Sequence, residues 1–277
     1  MATSRIKTSS ILQGFPKSRS LLAGNAAYVP GPVAGYVVWL DASDTSTITV
    51  SGTAVTQWTD KSVNARTFTQ GTAGNRPVSG VSTKNSRNVI DFDGSDDFLE
   101  STAATSVWKF LSDGTQHTYF VVAKSTDLNN YGTVFGNVNS AKIGIEGAQF
   151  RPDPAIACYI NTQDGSNAAA IYNSGGSISN NEWVYAYFRN KPSDGTAANR
   201  SKGQIKLGTA YSNNASTNTP SNSNPNYTLV VGATRNNSGV IADRFIGSIA
   251  EIIIYNSYLS DTDTATVQTY LANKWSI

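Results

Sequence analysis

One cysteine, one histidine and one methionine occur among 277 residues, and only 14% of the chain is charged. Each scarcity excludes a class of protein. The lone Cys158 rules out a disulfide framework and is read as a small core residue in the strand-like run IACYI. It fits assembly in a reducing cytoplasm. The lone His117 leaves no His-based catalytic triad and no His-rich zinc site. Only four glutamates are present (Glu100, Glu146, Glu182, Glu251), and none has an acid two positions away. No apolar run approaches the roughly 18 residues of a membrane span. A net charge of +2 is too small to point to nucleic acid.

What is present falls into two parts, an arm over residues 1–34 and a body over 35–277. Arg5, Lys7, Lys17 and Arg19 all precede the first acid, Asp41, so a basic arm leads a near-neutral body. The arm is not a secretory signal, because Gly14, Pro16, Lys17 and Arg19 interrupt the apolar stretch a signal needs. It is also richer than a typical disordered tail in apolar residues, with Ile11, Leu12, Phe15, Leu21 and Leu22 among them. The expectation is an extended segment that takes its shape on a partner. Its basic residues would meet acidic groups and its apolar residues would fill pockets.

The body opens at GYVVWLDAS (35–43) and continues through strand-like runs: NVIDFDG, HTYFVVAKS, GTVFGNV, AKIGIEG, AIACYINT, AAAIYN, NEWVYAYFRN, KGQIKLGTA, YTLVVGATR and DRFIGSIAEIIIYN. Turn pairs such as Asp93-Gly94, Asp113-Gly114 and Ser238-Gly239 separate them. Many short strands without alternating helices predict an all-β, antiparallel two-sheet sandwich of the jelly-roll kind. A short helix is expected over 106–112. A second helix is expected after the last strand, with Ser260 as N-cap and Asp263 three residues on. Val267, Tyr270, Leu271 and Trp275 would share its buried face. The polar stretch 212–226 is expected to be an exposed loop.

Four segments occur in order: VVWLDASDTSTIT, VTQWTDKS, VIDFDGSDDFL and FIGSIAEIIIYNSYLSDTDTATVQTYLANKW. Together they resemble the concanavalin A-like, laminin G-like lectin/glucanase superfamily over roughly 36–277. The resemblance implies a jelly-roll sandwich, and it leaves open lectin, glycosidase, adhesion and structural roles. Such domains commonly continue Gly-Asn after the Asp-Lys-Ser turn, where this chain has Val63-Asn64. The leader SRIKTSSILQGFPKSRSLLAGNAAY is similar to the leading segment of virion structural proteins of marine tailed bacteriophages, cyanophages included. That likeness implies a shared docking arm carrying an exchangeable display domain.

Three constellations bear on chemistry. The glucanase branch of the superfamily carries its catalytic carboxylates as Glu-x-Asp-x-x-Glu or close variants on one strand, and no such set occurs here. Glu251 in AEIIIYN is read as structural, and no catalytic residue is assigned. DFDGSDD gathers Asp91, Asp93, Asp96 and Asp97, so Asp93, Asp96 and Asp97 are weak calcium candidates. An Asp-Gly turn fixed by side-chain to backbone bonds explains the same residues. No other cofactor is expected. Along NEWVYAYFRN, Val184, Ala186 and Phe188 suit the core, leaving Trp183, Tyr185 and Tyr187 as a sugar-stacking platform or a second buried layer.

The reading that joins these points is a non-enzymatic virion surface protein assembled in the host cytoplasm and expected to be homo-oligomeric by particle symmetry. In it, Arg5, Lys7, Ile11, Leu12, Phe15, Lys17, Arg19, Leu21 and Leu22 dock on other virion proteins, foremost the major capsid protein. The jelly roll then decorates and stabilises the shell or binds surface glycans. The alternatives are a receptor-binding tail or fibre module and, less well supported, a glycan-cleaving enzyme.

Overall fold

A computed structural model describes residues 31–139, 142–153, 155–161, 167–172, 178–191, 194, 196, 201–205, 211–212 and 221–277. The anchoring residues expected between positions 5 and 22 lie outside this set, as does most of the expected 212–226 loop. The first half of the body runs β1 (Tyr36–Asp41), β2 (Ile48–Ser51), β3 (Ala54–Thr59), β4 (Thr67–Thr69), β5 (Val78–Lys84), β6 (Arg87–Asp93), β7 (Leu99–Ser101), β8 (His117–Ser125), β9 (Gly132–Gly136) and β10 (Gly144–Phe150). The second half runs β11 (Ile156–Asn161), β12 (Asn167–Tyr172), β13 (Trp183–Asn190), β14 (Ser201–Ile205), β15 (Tyr211–Ser212), β16 (Val230–Val231), β17 (Thr234–Arg235), β18 (Ile241–Ala242), β19 (Ile246–Tyr255) and α1 (Asp261–Trp275).

Hydrogen bonding joins these strands as two antiparallel layers. In the back layer β19 is central. It pairs with β8 on one side and with β1 and β6, end to end, on the other. Beyond β8 follow β13, β14 and β15, and beyond β6 lies β5. The front layer runs β2, β3, β4, β7, β16, β9, β10, β11, β12. One pairing, Ala54 with Val78, ties the layers together. The expected antiparallel β sandwich with a C-terminal helix is the architecture found.

Period-two alternation places one face of each strand inside. Tyr119, Val121 and Ala123 of β8, Val184, Ala186 and Phe188 of β13, and Ile249, Ile252 and Ile254 of β19 enter the core. They meet Trp58, Phe68, Leu99, Phe135, Ile145, Phe150 and Ile156 of the front layer in one apolar cluster. Cys158 belongs to it at 1% exposure, and burial pushes its thiol up to about 12, which keeps it an unreactive core residue.

The other face of the back layer is buried too, by α1. Ser260 Oγ accepts from the Asp263 N–H at 3.0 Å and donates to the Asp263 carboxylate, closing the expected cap. Val267, Tyr270, Leu271 and Trp275 are all buried. At about 1.5–3 kcal/mol per large apolar side chain, that stripe holds the helix down.

Three local departures have physical reasons. The segment expected as a short helix at 106–112 is a 3-10 helix, Thr105–Leu111. Strands β2, β3, β4, β5 and β7 are short or rich in Thr, Ser and Gln, and they gave no continuous apolar run in the sequence. Strand β10 runs past the expected end of AKIGIEG, because its register shifts between Glu146 and Gln149. Ala148 at φ 56 absorbs the extra residue of that bulge.

Candidate ligand-binding face

Cross-strand register aligns one row on the outer face of the front layer, since directly opposed residues share a face. The row reads Gln57, Thr69, Glu100, Val230, Gly136, Glu146 and Tyr159. It is largely polar, unlike the inner face.

The β17–β18 hairpin folds back across the middle of this row. Gly136 makes the crossing feasible, because a Cβ there would lie 3.0 Å from Thr234 Oγ1 and 3.1 Å from the Ile145 carbonyl oxygen. On one side Arg235 Nη2 donates to Glu100 Oε1 at 2.6 Å. On the other, the Thr133 N–H donates to the Asp243 carbonyl at 2.8 Å, and Asn139 Nδ2 to Asp243 Oδ2 at 3.1 Å. Asp243 sits at φ 45, a left-handed backbone that Asp tolerates better than most residues.

Under the hairpin, Glu146 is only 2% exposed. Its Oε1 accepts from Thr133 Oγ1 at 3.1 Å and from Gln149 Nε2 at 2.6 Å. Burial, then the charge of Asp243 and a hydrogen bond to it, push the Glu146 carboxyl well above the usual carboxylate range. Each of these causes disfavours the charged form of Glu146. The contact ties the hairpin to β10.

Beside this contact the face opens. Tyr131, in the turn before β9, is 45% exposed. The Arg151 guanidinium lies 5.1 Å from the Tyr131 ring centroid and 5.9 Å from that of Tyr159. Arg151 Nη1 donates to Tyr159 Oη at 2.6 Å and to Gln149 Oε1 at 3.2 Å, and Nε donates to Asp153 at 3.0 Å. Arg151 is thus held from several sides, and Tyr131 presents a ring beside it. Such a patch offers a flat apolar surface for stacking, edged by fixed donors and acceptors.

The residues singled out in the sequence fall elsewhere. Trp183, Tyr185 and Tyr187 do not form a sugar-stacking platform. Tyr185 and Tyr187 are 1% and 4% exposed, on the back-layer face that α1 covers. Gln268 of α1 donates to Tyr185 Oη, and the Tyr187 ring packs against Phe120. Trp183 is half-buried at the start of β13, with the Lys124 ammonium 5.5 Å from its ring. The buried-layer alternative describes the two tyrosines, and the cover is the chain's own helix.

Asp93, Asp96 and Asp97 do come together, with one carboxylate oxygen from each within 4.8 Å of the others. Asp93 Oδ1 already accepts the Ser95 and Asp96 N–H groups, as an Asx turn does. Burial pushes Asp97 up to about 6, its bond from the Asp93 N–H opposing and the Asp93 and Asp96 charges adding. The residues could supply calcium ligands, and the turn chemistry accounts for them as they stand.

Glu251 is structural, though not a turn or cap residue. It is fully buried between β19 and α1, and four donors reach it. Trp39 Nε1 and Tyr270 Oη bond Oε1 at 2.6 and 2.7 Å, and Trp275 Nε1 and Lys274 Nζ bond Oε2 at 2.6 and 2.9 Å.

Solved structures with a similar fold can be set beside this geometry. The receptor-binding domain of botulinum neurotoxin mosaic serotype C/D superposes with a TM-score of 0.52 at 14% identity, over 84% of this chain and 50% of that one. The serotype G binding domain gives 0.51 at 11%, over 85% and 50%. The serotype D ligand-binding domain, solved with N-acetylneuraminic acid, gives 0.51 at 16%, over 84% and 50%. The chain shares their β-sandwich fold. It spans about half the length of each, and identities this low establish the fold alone. No protein-family model matches the sequence, and no curated protein is significantly similar to it.

Tyr131, Arg151, Tyr159 and the Glu146–Asp243 contact were not singled out in the sequence. Asn-Asn-Tyr-Gly at 129–132 does mark a turn with an aromatic at its tip. Nothing local joins it to Arg151, or Glu146 to Asp243.

Proposed function

We propose that the chain is a non-enzymatic glycan-binding β sandwich carried on a virion surface, with the sugar stacking on Tyr131 beside Arg151 and Tyr159. The observation that carries the sugar-binding part is the exposed Tyr131 ring held next to a fixed guanidinium on the outer face of the front layer. A sugar that bridges the two would use the ring for its C–H face and the polar rim for its hydroxyl or acidic groups. Ligands of the neighbouring folds add modest support, since one of those domains was solved with N-acetylneuraminic acid. The virion part rests on the leader resemblance in residues 4–28 and on the basic, apolar character of that arm. Many copies on one particle would convert weak single contacts into avidity.

The non-enzymatic reading draws on the Glu146–Asp243 contact. Glu146 is buried under the hairpin against Asp243, so these two acids do not flank an open cleft, whereas retaining glycosidases need carboxylates about 5–5.5 Å apart around the scissile bond. Binding of the full chain to a glycan array, with Tyr131→Ala alongside, tests the sugar reading. Retention by wild type and loss by the variant is expected, and no binding by wild type overturns it. Deleting residues 1–30 tests the anchor. The truncated protein should stay folded and fail to load onto particles, and loading at the wild-type level removes the anchoring role. A tail or fibre location remains the alternative, distinguished by where labelled protein sits on the particle.

A further inference from the structure

One cluster of buried ionisable groups takes no part in the proposed binding face. It lies between β1, β19 and α1. Lys274 is 6% exposed, and its Nζ lies 2.6 Å from Asp41 Oδ1 and 2.9 Å from Glu251 Oε2. Asp41 and Glu251 are 3% and 1% exposed. Trp39, Tyr270 and Trp275 wall the site, each within hydrogen-bonding or ring contact of its members. Lys61 Nζ lies 3.0 Å from the other Asp41 oxygen, Oδ2, and Ser43 Oγ donates at 2.6 Å to Oδ1, the oxygen that Lys274 also meets.

This is more than an ion pair needs. A primary amine, a carboxyl group and a second carboxylate meet in a site with little water and aromatic walls. That set can condense, because water exclusion favours the amide and the Lys274 nitrogen is held against the Asp41 carboxylate, 2.6 Å from Oδ1. We propose that Lys274 and Asp41 form an intramolecular amide bond, with Glu251 as the proton carrier and Lys61 as the oxyanion stabiliser.

The step balances without a further reactant. Glu251 Oε2 takes a proton from the Lys274 ammonium and frees the amine. The Nζ lone pair attacks Asp41 Cγ, and the developing charge on Oδ2 faces the Lys61 ammonium. The C–Oδ1 bond then breaks. Oδ1 collects two protons, the one held by Glu251 and one from the attacking nitrogen, and leaves as water. Ammonium plus carboxylate becomes amide plus one water, and Glu251 returns to its starting state. Lys61 and Asp44 are part-exposed at 22% and 33% of their side chains, which gives the water a route out.

The bond would join residues 233 positions apart and so tie the first strand of the body to its last helix. Linking distant points restricts the unfolded chain most.

Intact mass of the purified full chain tests this. The expected mass is lighter than the sequence mass by one water, and digestion should give one branched peptide joining the Asp41 and Lys274 segments. Asp-Gly pairs such as Asp93-Gly94 can also lose water by cyclising, so the branched peptide is required. Lys274→Arg should restore the full mass. Glu251→Gln, closer in shape, should do so or slow the loss several-fold over days of incubation. A wild-type chain at full mass after that incubation, or a water loss mapped to any other residue, overturns the proposal. Because wild type alone decides it, misfolding of a variant leaves the outcome readable. The result is independent of any glycan binding.

Discussion

The outer faces of the two layers bury a glutamate each, and they treat it differently. On the back layer Glu251 lies under an apolar helix and accepts four hydrogen bonds, one from a lysine. On the front layer Glu146 lies under a hairpin, accepts two neutral hydrogen bonds, and meets a second acid. Burial raises both carboxyls. Beside Glu251 the Lys274 charge opposes that rise, whereas beside Glu146 the Asp243 charge adds to it. The same residue type is therefore a many-donor clamp beside a lysine on one face and a link to a second acid on the other. Donor count and neighbour charge decide which.

The largest expected effect comes from breaking the clamp. Glu251→Ala leaves the Lys274 nitrogen, as ammonium or as amide N–H, and two indole N–H groups buried without their acceptor. It should cost about 3–5 kcal/mol in urea unfolding. A loss below about 1 kcal/mol would mean the back face is held by apolar packing alone.

Next comes a group in the layer between the two faces. Asn190 Nδ2 donates to His117 Nε2 at 2.8 Å, which fixes a neutral ring, and complete burial brings its pKa down to about 4. The unfolded chain takes up this proton near pH 6.5 and the folded one only near 4. Stability is therefore full above pH 6.5 and falls by about 3 kcal/mol on acidification towards pH 4. His117→Gln should flatten that acid slope in denaturation curves, and an unchanged slope would assign it to the carboxylates of the two faces.

Tyr131→Ala should weaken glycan affinity by about tenfold while leaving the unfolding midpoint nearly unchanged. A large stability loss instead would make Tyr131 part of the hairpin's support.

The sharpest test of the contrast has a small effect. Glu146→Gln replaces a carboxyl that burial and Asp243 hold toward its neutral form by an amide that can still donate to Asp243, so about 1 kcal/mol or less should be lost at pH 5. A raised folded pKa makes wild type lose stability as pH rises through it, and the Gln variant should lack that decline. If Glu146→Gln costs as much as Glu251→Gln at both pH values, the two faces are alike after all. Smallest of all, millimolar calcium should leave the thermal midpoint unmoved, because Asp93 already serves three backbone N–H groups. A clear rise would add a metal-bound turn to the picture.

Much of this molecule is written locally. The runs HTYFVVAKS and NEWVYAYFRN alternate with period two and became β8 and β13 with Val184, Ala186 and Phe188 inside. Ser260, Asp263 and the Val267–Trp275 stripe define α1 by capping and by helical spacing, both readable within about fifteen residues. The face assignment of Tyr185 and Tyr187 was equally local, but whether that face met water or cover was not. It depended on where α1 lands, and no short-range signal states that. The binding face was still less legible. Register across seven strands lines up Gln57 with Tyr159, and one glycine lets the hairpin cross. Contacts between Glu146 and Asp243, or Asp41 and Lys274, span 97 and 233 positions.

The sequence by itself determined the longer apolar strands, the capped helix and the division of their residues between faces, because propensity and periodicity act over a few residues. Tertiary structure alone decided which acids meet, which groups form the clamp under α1, and which aromatic ring stays exposed. Those outcomes follow from burial and from neighbours that only chain closure brings together.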